Sequence, residues 1–153
     1  MRFCLSVLLA VFLLTGCGSP PETLVQDGYD EKEMDAAIAK AQATVDEFIE
    51  KLESHDGESF AVKAPIEDGK KVEHFWVTGV KFDNGQFTGT IDNDPGIVSN
   101  VQAGQEWTIA KGDISDWMYM RNGKIYGNYT MRPLLKTLPP EEAEKMRSML
   151  AEP

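Results

Sequence analysis

Glu73-His-Phe-Trp-Val-Thr-Gly-Val-Lys-Phe-Asp83-Asn84-Gly85-Gln86-Phe-Thr-Gly-Thr-Ile-Asp92 is the stretch that decides the fold. Asn84-Gly85 sits between two runs of alternating apolar and polar residues. Both turn residues tolerate the positive φ of a two-residue hairpin loop, so the pair predicts a tight β-hairpin. Such a turn sets the register, with Phe82 opposite Phe87, Val80 opposite Gly89 and Thr78 opposite Ile91. Side chains alternate across a strand, so Trp76, Val80, Phe82, Phe87 and Ile91 are predicted to share the core face.

The same reasoning extends in both directions. Asn122-Gly123 predicts a second hairpin with Met120 opposite Ile125, Met118 opposite Gly127 and Asp116 opposite Tyr129. Its other face pairs Tyr119 with Tyr126 and Trp117 with Asn128. Ser59 to Pro65 reads as a strand ended by its proline, and Glu106 to Ala110 as a short strand. Upstream, Met34, Ile38, Ala41, Val45, Phe48 and Leu52 recur at helical spacing and predict one long helix over 30–54. Asp30 and Glu33 form its capping box, and Gly57 is expected to supply its left-handed exit. Pro139-Pro140-Glu141-Glu142 opens a last helix, with proline and acids placed where an N-terminus favours them. The expectation is an α+β fold: a long N-terminal helix packed on an antiparallel, hairpin-rich sheet, with a short C-terminal helix. Residues 30–153 read as one domain, without an internal repeat.

The net charge of −10 is unevenly placed. Residues 22–59 hold 12 acidic side chains against three lysines, whereas residues 60–153 hold 13 against 11 Lys and Arg. Nucleic acid is excluded as a partner, because its phosphates need basic patches.

The first residues carry an address. Arg2 precedes the apolar run Phe3–Leu14, whose 12 residues fall short of the roughly 20 needed to cross a bilayer and fit a secretory signal. Leu14-Thr15-Gly16-Cys17 follows. This order resembles the signal of bacterial lipoproteins. The resemblance implies that residues 1–16 are removed, that Cys17 carries the lipid, and that residues 17–29 form an acylated tether. The membrane partner is then engaged through Cys17, in the cell envelope and facing the periplasm. Gly18, rather than Asp, after Cys17 implies the outer membrane by the same resemblance. Cys4 leaves with the signal, so the mature chain keeps no free thiol for catalysis or metal binding.

Four segments carry a second resemblance: Phe60-Ala-Val-Lys-Ala-Pro65, Glu73-His-Phe-Trp-Val77, Ile114-Ser-Asp-Trp-Met-Tyr119 and Gly127-Asn-Tyr-Thr-Met-Arg132. They resemble the bacterial domain-of-unknown-function family numbered 2314 over about residues 31–138. The resemblance implies a small stand-alone domain on secreted or lipid-anchored chains, some similar to toxin-immunity proteins, and it implies no activity.

Candidate functional residues follow from chemistry. His74 is the one plausible general base, and Asp116 the carboxylate that could orient it, with Ser115 or Ser59 as hydroxyl. This pair would support a small envelope hydrolase, against a structural reading as a hydrogen-bonded histidine. His55 reads as a helix C-cap. Asp92-Asn93-Asp94 resembles the start of a calcium loop, but Ala103 occupies the twelfth position where a glutamate is needed, so no metal and no cofactor is expected. Trp117, Tyr119 and Tyr126 form an aromatic cluster with Arg132 just beyond. If open, it suits a protein, peptide or glycan partner; if covered by a helix, it is core. The leading expectation is a non-enzymatic binding or scaffolding module. An immunity-like inhibitor, engaging a basic partner through the acidic first helix, is the other alternative.

Overall fold

A computed structural model of the protein describes residues 28–152. The signal, Cys17 and most of the tether lie outside the described residues. Six antiparallel strands form one sheet: β1 (Glu58–Asp68), β2 (Lys71–Asp83), β3 (Gln86–Ile91), β4 (Glu106–Ala110), β5 (Asp116–Arg121) and β6 (Lys124–Gly127). Their spatial order is β4-β3-β2-β1-β5-β6. The α+β class and the hairpin-rich sheet are therefore as expected from the turns.

The expected single long helix is two short ones, α1 (Glu31–Ala43) and α2 (Val45–Glu53). Thr44 breaks the run at φ −110°, ψ 9°. Its hydroxyl donates to the Lys40 carbonyl at 2.8 Å, a back-bond that bends helices. The bend lets Ala41 on one side, and Val45, Phe48 and Ile49 on the other, all bury against the sheet. Asp30 caps α1 as expected, accepting from the Glu33 N–H at 3.0 Å. The left-handed exit belongs to His55, at φ +54°, rather than to Gly57. Gly57 is needed for a different reason: a Cβ there would lie 2.7 Å from the Tyr119 ring and 3.0 Å from the Met120 carbonyl.

The first hairpin turns where expected, with Phe82 opposite Phe87, but its register slips beyond that point. A bulge between Thr78 and Lys81 places Val77, not Thr78, opposite Ile91. Gly79, at φ +61°, supplies the extra residue. The slip moves β2's earlier side chains across the sheet. Phe75 and Val77 are fully buried, while Trp76 and His74 go to the outer face. Strand β1 also continues past Pro65 to Asp68. The Lys63 carbonyl accepts from Ser115 N–H on the β5 side. Pro65, two residues on, aims its nitrogen the same way, beyond the end of β5, where no donor is required. The second hairpin keeps the expected register from Arg121–Lys124 to Met118–Gly127, where β6 ends, so the expected ladder pairs Trp117–Asn128 and Asp116–Tyr129 are not formed.

The two faces of the sheet bury separate apolar clusters. Helices α1 and α2 cover one face, where Phe48, Phe75, Val77, Phe87, Ile91, Ile114 and Trp117 meet. A helical turn, α3 (Met131–Leu134), and α4 (Pro140–Met149) cover the outer face of β5–β6 through Ile125, Leu135, Ala143 and Leu150. Beyond α4 the chain runs beside β6. Leu150 bridges Ile125 in parallel, and Ala151 N–H donates to the Ile125 carbonyl at 2.8 Å.

The loop over 92–105 is held by acids of the β1–β2 hairpin. The buried Glu73 carboxylate accepts from the N–H groups of Gly96, Ile97 and Val98 at 2.8–3.1 Å. Burial raises the Glu73 pKa, but the three backbone donors outweigh it and hold the group below its ordinary value. A depressed carboxyl stabilises the fold above the unfolded-state pKa, and that stability is lost as pH falls through the folded value. Glu73→Gln is thus expected to cost about 2 kcal/mol near neutral pH, and less in acid. Urea unfolding of both proteins at neutral and acidic pH checks this; a gap that does not narrow in acid contradicts it.

Candidate functional site

The aromatic cluster and the polar residues around it come from β5, β6 and the segment that follows. Asp116 is fully buried and accepts four hydrogen bonds. These come from Trp117 N–H (2.8 Å), Tyr129 N–H (3.1 Å), Thr130 N–H (2.8 Å) and the Thr130 hydroxyl (2.7 Å). Burial pushes this carboxyl up, and the four donors oppose that shift. Asp116 and Tyr129 are not the expected pair across the ladder, because β6 ends at Gly127; the Asp116 side chain reaches the Tyr129 N–H instead. Arg132 completes the knot, donating to the carbonyls of Gly127, Asn128 and Ala151 at 2.9–3.1 Å.

The expected His74–Asp116 pairing is not formed. His74 Nδ1 lies 2.8 Å from Ser115 Oγ, whereas every hydrogen bond that Asp116 accepts comes from residues 117, 129 and 130. The reason is geometric: Asp116 lies opposite Lys63 across the β1–β5 ladder, and His74 lies opposite Pro65 across β1–β2. No carboxylate hydrogen-bonds His74 among the described residues, and Ser115 is itself buried. The Ser115 hydroxyl is also placed to donate to the Lys63 carbonyl, at 3.2 Å. Asn93, in the acidic turn weighed as a calcium loop, uses its side-chain oxygen to accept from Trp76 N–H at 3.1 Å.

Trp117 and Tyr119 do not form an open platform. They are 4% and 5% exposed, because the helices lie over them. Phe48 stacks on Trp117 at 5.3 Å between ring centroids, and the Trp117 indole N–H donates to the Ala41 carbonyl at 3.0 Å. The stack continues outward as Trp117–Tyr119 and Tyr119–Tyr126, the last pair 5.0 Å apart and nearly parallel. Where it emerges from under α2 there is a cleft of about 210 Å³. Trp117, Tyr119, Tyr126 and Arg132 all line it, so the four residues named from sequence do converge on one site. Glu47 and Lys51 of α2, with Gly127, Tyr129 and Glu152, complete the wall. The sequence pattern carries no sign of Glu47, Lys51 and Glu152, since which helix face and which tail residue meet the hairpin is set by tertiary packing.

The chemistry of the cleft is aromatic with a charged rim. Tyr119 and Tyr129 make no hydroxyl hydrogen bond among the described residues. Arg121 lies over the Tyr126 ring and Arg132 over the Tyr129 ring, both at 5.3 Å. Asp56 bridges Lys51 and Arg121 at 2.7 Å each. Burial raises the Tyr119 phenol, and the nearby Arg121 and Lys51 cations oppose this. The volume lies below the roughly 300–1,000 Å³ of drug-sized pockets, which limits an occupant to one ring or one side chain.

Fold and site define a small α+β domain on a six-stranded antiparallel sheet, with an aromatic cleft at one end. The chain belongs to the bacterial family described as uncharacterized protein conserved in bacteria (DUF2314), whose model matches residues 31–150. That match runs through α4, beyond the portion that the sequence segments had marked. An uncharacterized protein of Escherichia coli strain K12, YegJ, is 51% identical over 149 residues, covering 97% of each chain. A Neisseria meningitidis serogroup B chain named "putative ankyrin repeat protein" is 36% identical over 85 residues, covering 53% of this chain and 34% of its own length. No solved structure matches the chain.

Proposed function

We propose that the protein is a lipid-anchored envelope module that binds its partner by contact, through the cleft between Tyr126, Tyr129 and Arg132, rather than by chemistry. The observation that carries this reading is the cleft itself. The half-buried Tyr126 ring brings the aromatic stack to the surface there, beside an Arg132 whose hydrogen bonds go to carbonyl oxygens and to no carboxylate among the described residues. Ring faces with a cation at the rim suit a peptide side chain or a sugar ring. The Leu14-Thr15-Gly16-Cys17 sequence supports the anchor, and a tether of a dozen residues gives a reach of at most ~40 Å from the membrane.

Two measurements separate the two halves of the proposal. Labelled palmitate is expected to enter the wild-type chain and not Cys17→Ser, with the variant lost from the membrane fraction; equal labelling contradicts the anchor. A photo-crosslinking residue at Glu47 or Tyr126 is expected to capture a defined envelope component, and one at the exposed Lys81 is not. Identical products from all three positions contradict the cleft.

A further inference from the structure

The outer face of β1–β2, away from the cleft, gathers polar groups from all four sequence segments that carry the family resemblance. Lys63 of β1 stands opposite Trp76 on one side and Asp116 on the other. Its ammonium lies 5.5 Å from the Trp76 ring centroid. An ammonium offers three donors, yet its one hydrogen bond to the protein among the described residues is to the Thr130 hydroxyl at 3.5 Å. That is longer than the roughly 2.7–3.2 Å of a well-made N–H···O bond. Asp116 does not fill the gap, because its oxygens already accept from Trp117, Tyr129 and Thr130. His74 is the diagonal neighbour of Lys63 on the same face, since it pairs with Pro65 two residues on. Its Nδ1 is engaged by Ser115, and its Nε2 has no hydrogen-bond partner among the described residues.

We propose that Lys63 and His74, with Trp76 as an apolar floor, form a binding site for an oxyanion, a carboxylate or a phosphate. The under-bonded ammonium supplies the charge-assisted bonds. The one Ser115 hydroxyl proton can go to the Lys63 carbonyl at 3.2 Å or to His74 Nδ1 at the shorter 2.8 Å; in the second arrangement Nε2 carries the imidazole proton and supplies a second donor. The tryptophan face accommodates the group that bears the anion. Lys63, His74, Asp116 and Glu67 are the titratable groups on this face, Glu67 lying two residues beyond Pro65 on the same side of β1. Burial, and after it the Lys63 cation, hold His74 below its ordinary pKa. A bound oxyanion screens that repulsion. The site is independent of the cleft, which none of these side chains lines.

The test is NMR of the full chain in detergent micelles, with labelled histidine and tryptophan, titrated separately with inorganic phosphate and with acetate at constant ionic strength. His74 and Trp76 signals are expected to shift saturably, while His55 and Trp107 stay still as internal controls. Saturation by phosphate alone, by acetate alone or by both identifies the oxyanion source. Lys63→Met and Lys63→Gln are each expected to weaken the apparent affinity by at least about tenfold. Non-saturating shifts, equal shifts at His55, or unchanged binding in both variants overturns the proposal. Should both variants lose the dispersed Trp107 signal of the folded core, the wild-type titration decides alone: saturation at His74 and Trp76 supports the site, and its absence overturns it.

Discussion

Gly127→Ala is expected to be among the most damaging single substitutions in the domain, costing about 4 kcal/mol. A Cβ at this position would lie 2.3 Å from the Trp117 carbonyl and 2.4 and 2.6 Å from two indole carbons. Neither neighbour can yield cheaply. The carbonyl accepts from Asn128 N–H at 2.8 Å, and the indole is pinned between Phe48 and the Ala41 carbonyl. Gly127 also sits at φ +73°, where a side chain costs about 1 kcal/mol before any contact is counted. Overpacking adds roughly 1–3 kcal/mol or more. The internal control is Gly69→Ala, at φ +64° with open space around it, which is expected to cost only about 1 kcal/mol. Urea unfolding midpoints, with the slope checked for constancy, compare the two. Equal losses would mean that the Trp117 contact is easily relieved.

Asp116→Ala is expected to cost about 3–5 kcal/mol. The change leaves the N–H groups of Trp117, Tyr129 and Thr130 without their acceptor in a buried setting. Each orphaned donor is worth about 1–3 kcal/mol, and the losses overlap because all three groups belong to one knot. Asp116→Asn should recover part of the loss, since its carbonyl still accepts on one side while its NH₂ meets the Thr130 donors. Chemical denaturation of the three proteins gives the order wild type, Asn, Ala. A neutral Asp116→Ala would show that the loop over 127–130 is held by something else.

Legibility followed how local the determining interactions are. The β5–β6 register could be read because Asn122-Gly123 fixes it and nothing interrupts the ladder. The β2–β3 register could not, because a single bulge residue at Gly79 reverses the facing of every side chain before it. Gly79 and Gly89 look alike in a period-two pattern, yet one makes the bulge and the other lies against the Thr78 carbonyl. The break at Thr44 was hidden because the apolar stripe runs past it at helical spacing, from Ala41 to Val45, while the break itself depends on the shape of the sheet beneath. Glu73 left no trace in the sequence: its partners are backbone N–H groups, which every residue but proline carries. The cleft was half legible. The hairpin register and Arg132 were readable, whereas Glu47, Lys51 and Glu152 arrive by long-range packing of a helix and a tail.

The short pairing of Leu150 and Ala151 with Ile125 has a consequence for how copies of this protein coexist. An outermost strand with free amide and carbonyl groups is a template for the same strand on another molecule. The proposed lipid anchor would confine many copies to two dimensions and raise their encounter rate, and this strand carries Tyr126 of the aromatic stack. The last residues of the chain take that hydrogen-bonding position within the molecule and so blunt the edge against self-association. A fusion or truncation at the C-terminus therefore acts on colloidal behaviour as well as on the fold, because it loosens the segment that keeps β6 from recruiting a neighbour.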